Sequence, residues 1–81
     1  MKIMIIDTDI NAVRIFKQYT KEIKGITVSG TFSDGIRALS FARSHKVDLV
    51  VLDIKISGMN GIELAKVLRA IYPEIQLIFT T

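Results

Sequence analysis

Two apolar runs in this chain each end in an aspartate and pass at once into a turn and a helical stripe. The first is Lys2-Ile-Met-Ile-Ile6 followed by Asp7; the second is Val47-Asp-Leu-Val-Val-Leu52 followed by Asp53. Short, nearly unbroken runs of Ile, Val and Leu read as strands buried on both faces, which is the signature of a parallel sheet covered by helices. The second run continues through Ile54-Lys-Ile-Ser-Gly-Met-Asn-Gly61, a Gly- and Asn-containing turn that leads into a helix.

The rest of the pattern alternates in the same way. Asp9 is placed to cap a helix whose Ala12, Ile15, Phe16, Tyr19 and Ile23 fall at helical spacing, with Phe16, Tyr19 and Ile23 read as core or edge packing and Gly25 ending it. Ile26 to Phe32 is β-branched and alternating, so a more exposed strand. Ser33-Asp34-Gly35 is a turn, and Ala38, Leu39 and Ala42 line a second helix. Ile62, Ala65, Leu68 and Ile71 mark a third, which Tyr72-Pro73 stops, and Ile75 to Phe79 is a fourth strand. The order β-α-β-α-β-α-β with short connections implies right-handed crossovers in a parallel sheet. The most apolar strands, the first and third, belong at its centre and the second at an edge, which gives the order 2-1-3-4. Strand order then reverses between the first and third strands. Open α/β sheets bind ligands at such a switch point, where Asp7 and Asp53 emerge side by side.

Composition narrows the function classes. The 81 residues hold one domain, and 49% apolar content argues for a packed core. The chain has no cysteine, so disulfides and thiolate metal sites are excluded, in keeping with a cytoplasmic protein. No apolar run reaches membrane-spanning length. The net charge of +3 is spread over Lys17, Lys21, Lys24, Arg37, Arg43, Lys46, Lys66 and Arg69. Spread charge reads as solvated helix faces; direct nucleic-acid binding would call for a concentrated basic patch. His45 sits at a predicted helix C-terminus, where a cation suits the dipole, and Met59 reads as a surface loop residue.

With Asp7, Asp34-Gly35, Asp53 and the loop to Gly61 in place, the chain resembles the receiver domain of bacterial two-component response regulators over its whole length, residues 1–81. The resemblance implies a flavodoxin-like (CheY-like) doubly wound fold. It also implies a phosphoprotein that accepts a phosphoryl group on Asp53 from a sensor histidine kinase. Mg²⁺ would be held by Asp7, Asp53 and the backbone carbonyl of Lys55, and Thr81 would be the switch hydroxyl. Ile78-Phe-Thr-Thr81 is similar to receivers attached to DNA-binding output domains. Physical chemistry supports these roles: a carboxylate is a weak nucleophile toward an anionic phosphodonor, and a hard divalent cation offsets the repulsion.

Three features depart from the family pattern. Thr8 stands where a second acid is usual, replacing a charged metal ligand by a neutral hydroxyl. Ser57 stands where a proline is common, which loosens the loop. No fifth strand follows Thr81, nor the lysine it carries in the family; the sequence reads as part of a longer protein truncated before that strand, with an open edge at the fourth strand that favours a homodimer. Two other readings compete. A degenerate receiver would act by protein contact alone, as Thr8 suggests. Alternatively, Asp7-Thr8-Asp9 resembles the nucleophile motif of haloacid-dehalogenase-type phosphatases, with Asp7 phosphorylated. On the leading reading the chain is no enzyme beyond its own phosphorylation and dephosphorylation.

Overall fold

Helix starts in this chain are set by side chains that stand in for missing backbone partners. In the computed structural model, which describes residues 1–80, Asp9, Asp34 and Asn60 each sit in extended backbone at a helix N-cap. Asp9 Oδ1 accepts from the amides of Asn11 (2.9 Å) and Ala12 (3.4 Å). Asp34 Oδ1 accepts from Ile36 N–H at 2.7 Å, and Asn60 Oδ1 from Ile62 N–H at 2.8 Å. Each such cap contributes about 1 kcal/mol. The elements that result are β1 (Lys2–Ile6), α1 (Ile10–Thr20), β2 (Thr27–Phe32), α2 (Gly35–Ser44), β3 (Leu49–Asp53), α3 (Gly61–Ile71) and β4 (Gln76–Thr80).

The four strands are parallel in the order β2-β1-β3-β4, the flavodoxin-like arrangement expected from the pattern. Alternation along each strand sends side chains to two unequal clusters. Met4, Ile6, Val50 and Leu52 meet Ala38 and Ala42 of α2 and Leu64, Ala65 and Leu68 of α3 in the larger one. On the opposite face Ile3, Ile5 and Val51 form a smaller cluster, to which the helices contribute only Val13 of α1.

That asymmetry explains where the structure departs from the sequence pattern. Ile15, Phe16, Tyr19 and Ile23 are exposed to 54%, 37%, 69% and 50%, so the stripe expected as core or edge packing is largely solvated. α1 turns Val13 and Thr20 inward, and it ends at Thr20 rather than at Gly25, which follows a stretch of turns at φ +86°. In α3 the buried set is Leu64, Ala65 and Leu68, while Ile62 faces outward. Met59 is half-buried against the larger cluster rather than on the surface, because the loop before α3 folds back onto α2. His45 is the exposed C-cap of α2, as expected, and its ring stacks on Phe41 at 4.2 Å.

Burial predicts the sensitivity of each side. Leu68→Ala empties a fully buried position in the larger cluster and is expected to cost about 2–5 kcal/mol in urea unfolding. Tyr19→Ala, at an exposed position of α1, is expected to stay within about 0.5 kcal/mol.

Candidate functional site

The acids are delivered by strand register. β1 and β3 pair through Ile6 and Leu52, so the residues that follow, Asp7 and Asp53, leave the sheet as neighbours at its carboxyl edge. Asp7 stays on the ladder because its N–H donates to the Phe32 carbonyl at 2.9 Å. Asp53 closes β3 opposite Thr80 of β4. Both aspartates are half-buried.

Each carboxylate is oriented by an amide two residues ahead. Asp9 N–H donates to Asp7 Oδ1 at 2.8 Å, and Lys55 N–H donates to Asp53 Oδ1 at 3.0 Å. The two aspartates line a cavity of about 290 Å³ together with Asp9 and Thr80, over a floor that includes Ile5 and Val51. The lining holds three carboxylates and no cationic side chain among the described residues. A larger cleft, about 420 Å³, opens at the other end of the strands around Met1, Lys46, Tyr72 and Pro73. It lies away from the acids and from the edge at which open α/β sheets place their ligands.

A close approach fixes the exit of Asp53. Gly61, the first residue of α3, donates its N–H to the Ile54 carbonyl at 3.2 Å. A Cβ there would come within 2.9 Å of the Asp53 and Ile54 carbonyl oxygens and 2.8 Å of Ile54 Cα. Only glycine lets α3 start directly against the end of β3, and Asn60 caps the helix from the position before it.

The residues singled out from the sequence separate here. Asp7 and Asp53 come together as expected, and Asp9 joins their cavity. Asp9 Oδ1 is engaged by the first amides of α1, the capping role anticipated for it. Thr8 is exposed and lines a neighbouring groove with Ile10, Thr31 and Ser33, which meets the acid cavity at Asp7. Lys55 is exposed. Thr81, the anticipated switch hydroxyl, lies outside the described residues. Thr80, which looks like an ordinary strand residue in the sequence, lines the acid cavity; its register opposite Asp53 is the signal that finds it. Among the described residues no three acidic, His or Cys side chains converge as a metal cage. The donors on offer at this edge are the carboxylate oxygens of Asp7, Asp53 and Asp9. That set suits a hard cation that keeps much of its water, as Mg²⁺ does, better than an ion that needs an all-protein cage.

A doubly wound parallel sheet with an acidic pair at its switch point defines a flavodoxin-like α/β domain. Residues 3–81 match the family described as the response regulator receiver domain, and the chain belongs to that family. It is 41% identical over 68 residues to the alkaline phosphatase synthesis transcriptional regulatory protein PhoP of Bacillus subtilis, covering 84% of this chain and 28% of that protein. It is 38% identical over 71 residues to a protein-glutamate methylesterase/protein-glutamine glutaminase of Desulfotalea psychrophila, covering 88% of this chain and 20% of that one. Among solved structures, the response regulatory domain of protein mrkE from Klebsiella pneumoniae superposes with a TM-score of 0.90 at 26% identity, covering 98% of this chain and 65% of that one. The chain spans 30% or less of the length of the first curated relatives it matches. Among the described residues, no helix is long and apolar enough to cross a membrane.

The caps and the close approach give a stability test of the site. Asp9→Ala removes the acceptor for two amides of α1 and is expected to cost about 1 kcal/mol in denaturant unfolding, most of it restored by Asp9→Ser. Gly61→Ala, which drives a Cβ into backbone oxygens rather than into a side chain, is expected to cost more than the roughly 1 kcal/mol loss of a cap.

Proposed function

We propose that this chain is the receiver module of a two-component response regulator, phosphorylated on Asp53 by a partner histidine kinase. The observation that carries the reading is the convergence of Asp7 and Asp53, from adjoining central strands, on one cavity without a cationic side chain in its described lining. An Asp53 carboxylate oxygen attacks the phosphorus of a phosphohistidine. The P–N bond breaks, the imidazole leaves and takes up a proton, and an acyl phosphate remains on Asp53. Hydrolysis returns inorganic phosphate and the free carboxylate.

Receiver domains generally use Mg²⁺, and here Asp7, Asp53 and the Lys55 carbonyl would hold it. When bound, the ion supplies the positive charge that offsets repulsion between the carboxylate and the phosphodonor. The protein's own residues orient the nucleophile: the Lys55 amide holds one oxygen of Asp53, and Gly61 sets the direction in which the chain leaves β3. The phosphoryl group adds about −1.5 to −2 charge and three acceptor oxygens, toward which the hydroxyl of Thr81 would turn to bias the output. On this reading residues 1–81 are part of one receiver domain of a cytoplasmic protein. Its partners are the kinase, an output domain and a second copy in a homodimer. A transcriptional output is supported by the similarity to PhoP, itself named as a transcriptional regulator. No reaction beyond self-phosphorylation and its reversal is assigned to the chain.

The second reading, a receiver that works by contact without phosphorylation, is favoured by Thr8, a neutral residue beside Asp7 where the adjoining groove meets the acid cavity. A charge pair at about 4 Å is worth about 4 kcal/mol at an effective dielectric of 20, before desolvation, so the lost acid weakens cation binding substantially. The phosphatase reading is weaker, because its general acid would be Asp9, one of whose oxygens is committed to capping α1.

Intact mass after incubation with Mg²⁺ and a small-molecule phosphodonor separates the three. We expect one added phosphoryl group, abolished by Asp53→Asn and reduced by Asp7→Asn. Thr8→Asp is expected to lower the Mg²⁺ half-saturation by about tenfold or more. Modification only after Thr8→Asp would establish the contact reading. Modification that survives Asp53→Asn but not Asp7→Asn would establish the phosphatase.

A further inference from the structure

The segment between β3 and α3 carries the Lys55 carbonyl and the Lys55 amide that orients Asp53, so whatever fixes that segment fixes the site. Gly61 and Thr80 hold its first residue, Ile54, and the contacts further along come from the start of α2. Gly35 N–H donates to the Ser57 carbonyl at 2.9 Å, and Asp34 and Ser57 form an isolated parallel bridge. Gly35 is buried and its bare Cα is the floor on which the loop rests: a Cβ there would lie 2.9 Å from Ile56 Cδ1, 3.0 Å from Met59 Cβ and 3.3 Å from the Met59 carbonyl oxygen. One residue further along the loop, Gly58 adopts φ +81°, and a Cβ on it would collide with Asp34 Oδ1 and lie 3.0 Å from Asp34 Cγ. The Asp34 carboxylate thus fills the space beside Gly58 while its Oδ1 caps α2 through Ile36 N–H. Because the gripped group is the Ser57 carbonyl, the loop is held without the proline that is common at that position.

Asp34 is not among the residues that line the Asp7–Asp53 cavity, so any influence it has on the site runs through the loop. We propose that Asp34 and Gly35 are positioning residues for the phospho-acceptor: the N-cap of α2 grips residues 56–59 and thereby sets the Lys55 carbonyl and the Lys55–Asp53 hydrogen bond. The proposal rests on the reading of Asp53 as the acceptor. It makes the first turn of α2 part of the acceptor apparatus, so that a shift of α2 is transmitted to the metal and phosphoryl oxygens without any residue of α2 touching them.

Asp34→Ala, Asp34→Asn and Gly58→Ala in the full-length protein test it. The readouts are the backbone amide resonance of Lys55, that of Val51 as a control within β3, the Mg²⁺ half-saturation, and the unfolding midpoint. We expect Asp34→Ala to displace the Lys55 amide resonance, although the two residues are far apart in sequence, and to leave Val51 in place. Loss of such an outer contact is expected to raise the Mg²⁺ half-saturation by about tenfold. Asp34→Asn, which keeps an acceptor oxygen and the side-chain shape, should restore both. Gly58→Ala should reproduce the Asp34→Ala effects if Asp34→Ala folds poorly. An unfolding midpoint lowered with the Lys55 resonance and Mg²⁺ half-saturation unchanged would overturn the proposal and leave Asp34 as a helix cap alone. Failure of the phosphorylation reading looks different: the parent takes up no phosphoryl group, and the Lys55 resonance still decides whether the grip exists.

Discussion

The pairing of β1 with β3 is the interaction on which the rest depends. Their parallel register sets Ile3, Met4, Ile5 and Ile6 beside Leu49, Val50, Val51 and Leu52, so each face of the central pair is apolar and all of these but the half-buried Leu49 are buried. The same register makes the two strands end together, which is why two carboxylates that are far apart in sequence share one cavity. A slip of one residue would exchange the faces and stagger the acids. Burial of this pair therefore selects the site geometry and the fold in a single step.

Features that depend on local chemistry were legible in the sequence. The Asp and Asn caps, the apolar runs and the Tyr72-Pro73 stop all carry their physics in neighbouring residues, and the strand order followed from which runs were most apolar. Asp7 and Asp53 were legible as a pair because topology alone places them. The exposure of Ile15, Phe16, Tyr19 and Ile23 was not, since periodicity reports that a helix has an apolar face but not how much of that face the sheet covers. Thr80 was missed for a related reason: a threonine in a strand is unremarkable until its cross-strand partner is known to be Asp53.

The hold of α2 on the loop after Asp53 was the least legible element. Asp34-Gly35 and Ser57-Gly58 each read as turn residues, and nothing in their spacing shows that they meet. Their bond is a backbone bridge between two loops, with no side-chain periodicity to announce it. The glycines matter as missing volume, at Gly35 for Ile56 and Met59 and at Gly58 for the Asp34 carboxylate. An empty volume becomes meaningful only when the group that occupies it is known.

The two unequal clusters have a consequence for how the acids are anchored. The loop after Asp53 is packed from the side of α2 and α3 through Ile56 and Met59, whereas Asp7 and Asp53 themselves share the face of Ile5 and Val51, beside Ala12 and Phe16 of α1, which contributes only Val13 to the smaller cluster. Sparse apolar contact marks the segments that open first in native-state fluctuations. The carboxylates thus face the sparsely packed side of the sheet, while the loop that carries the Lys55 amide is held by the densely packed one. Transient release of α1 would therefore uncover the carboxylate cavity from one wall while the loop behind Asp53 stays packed.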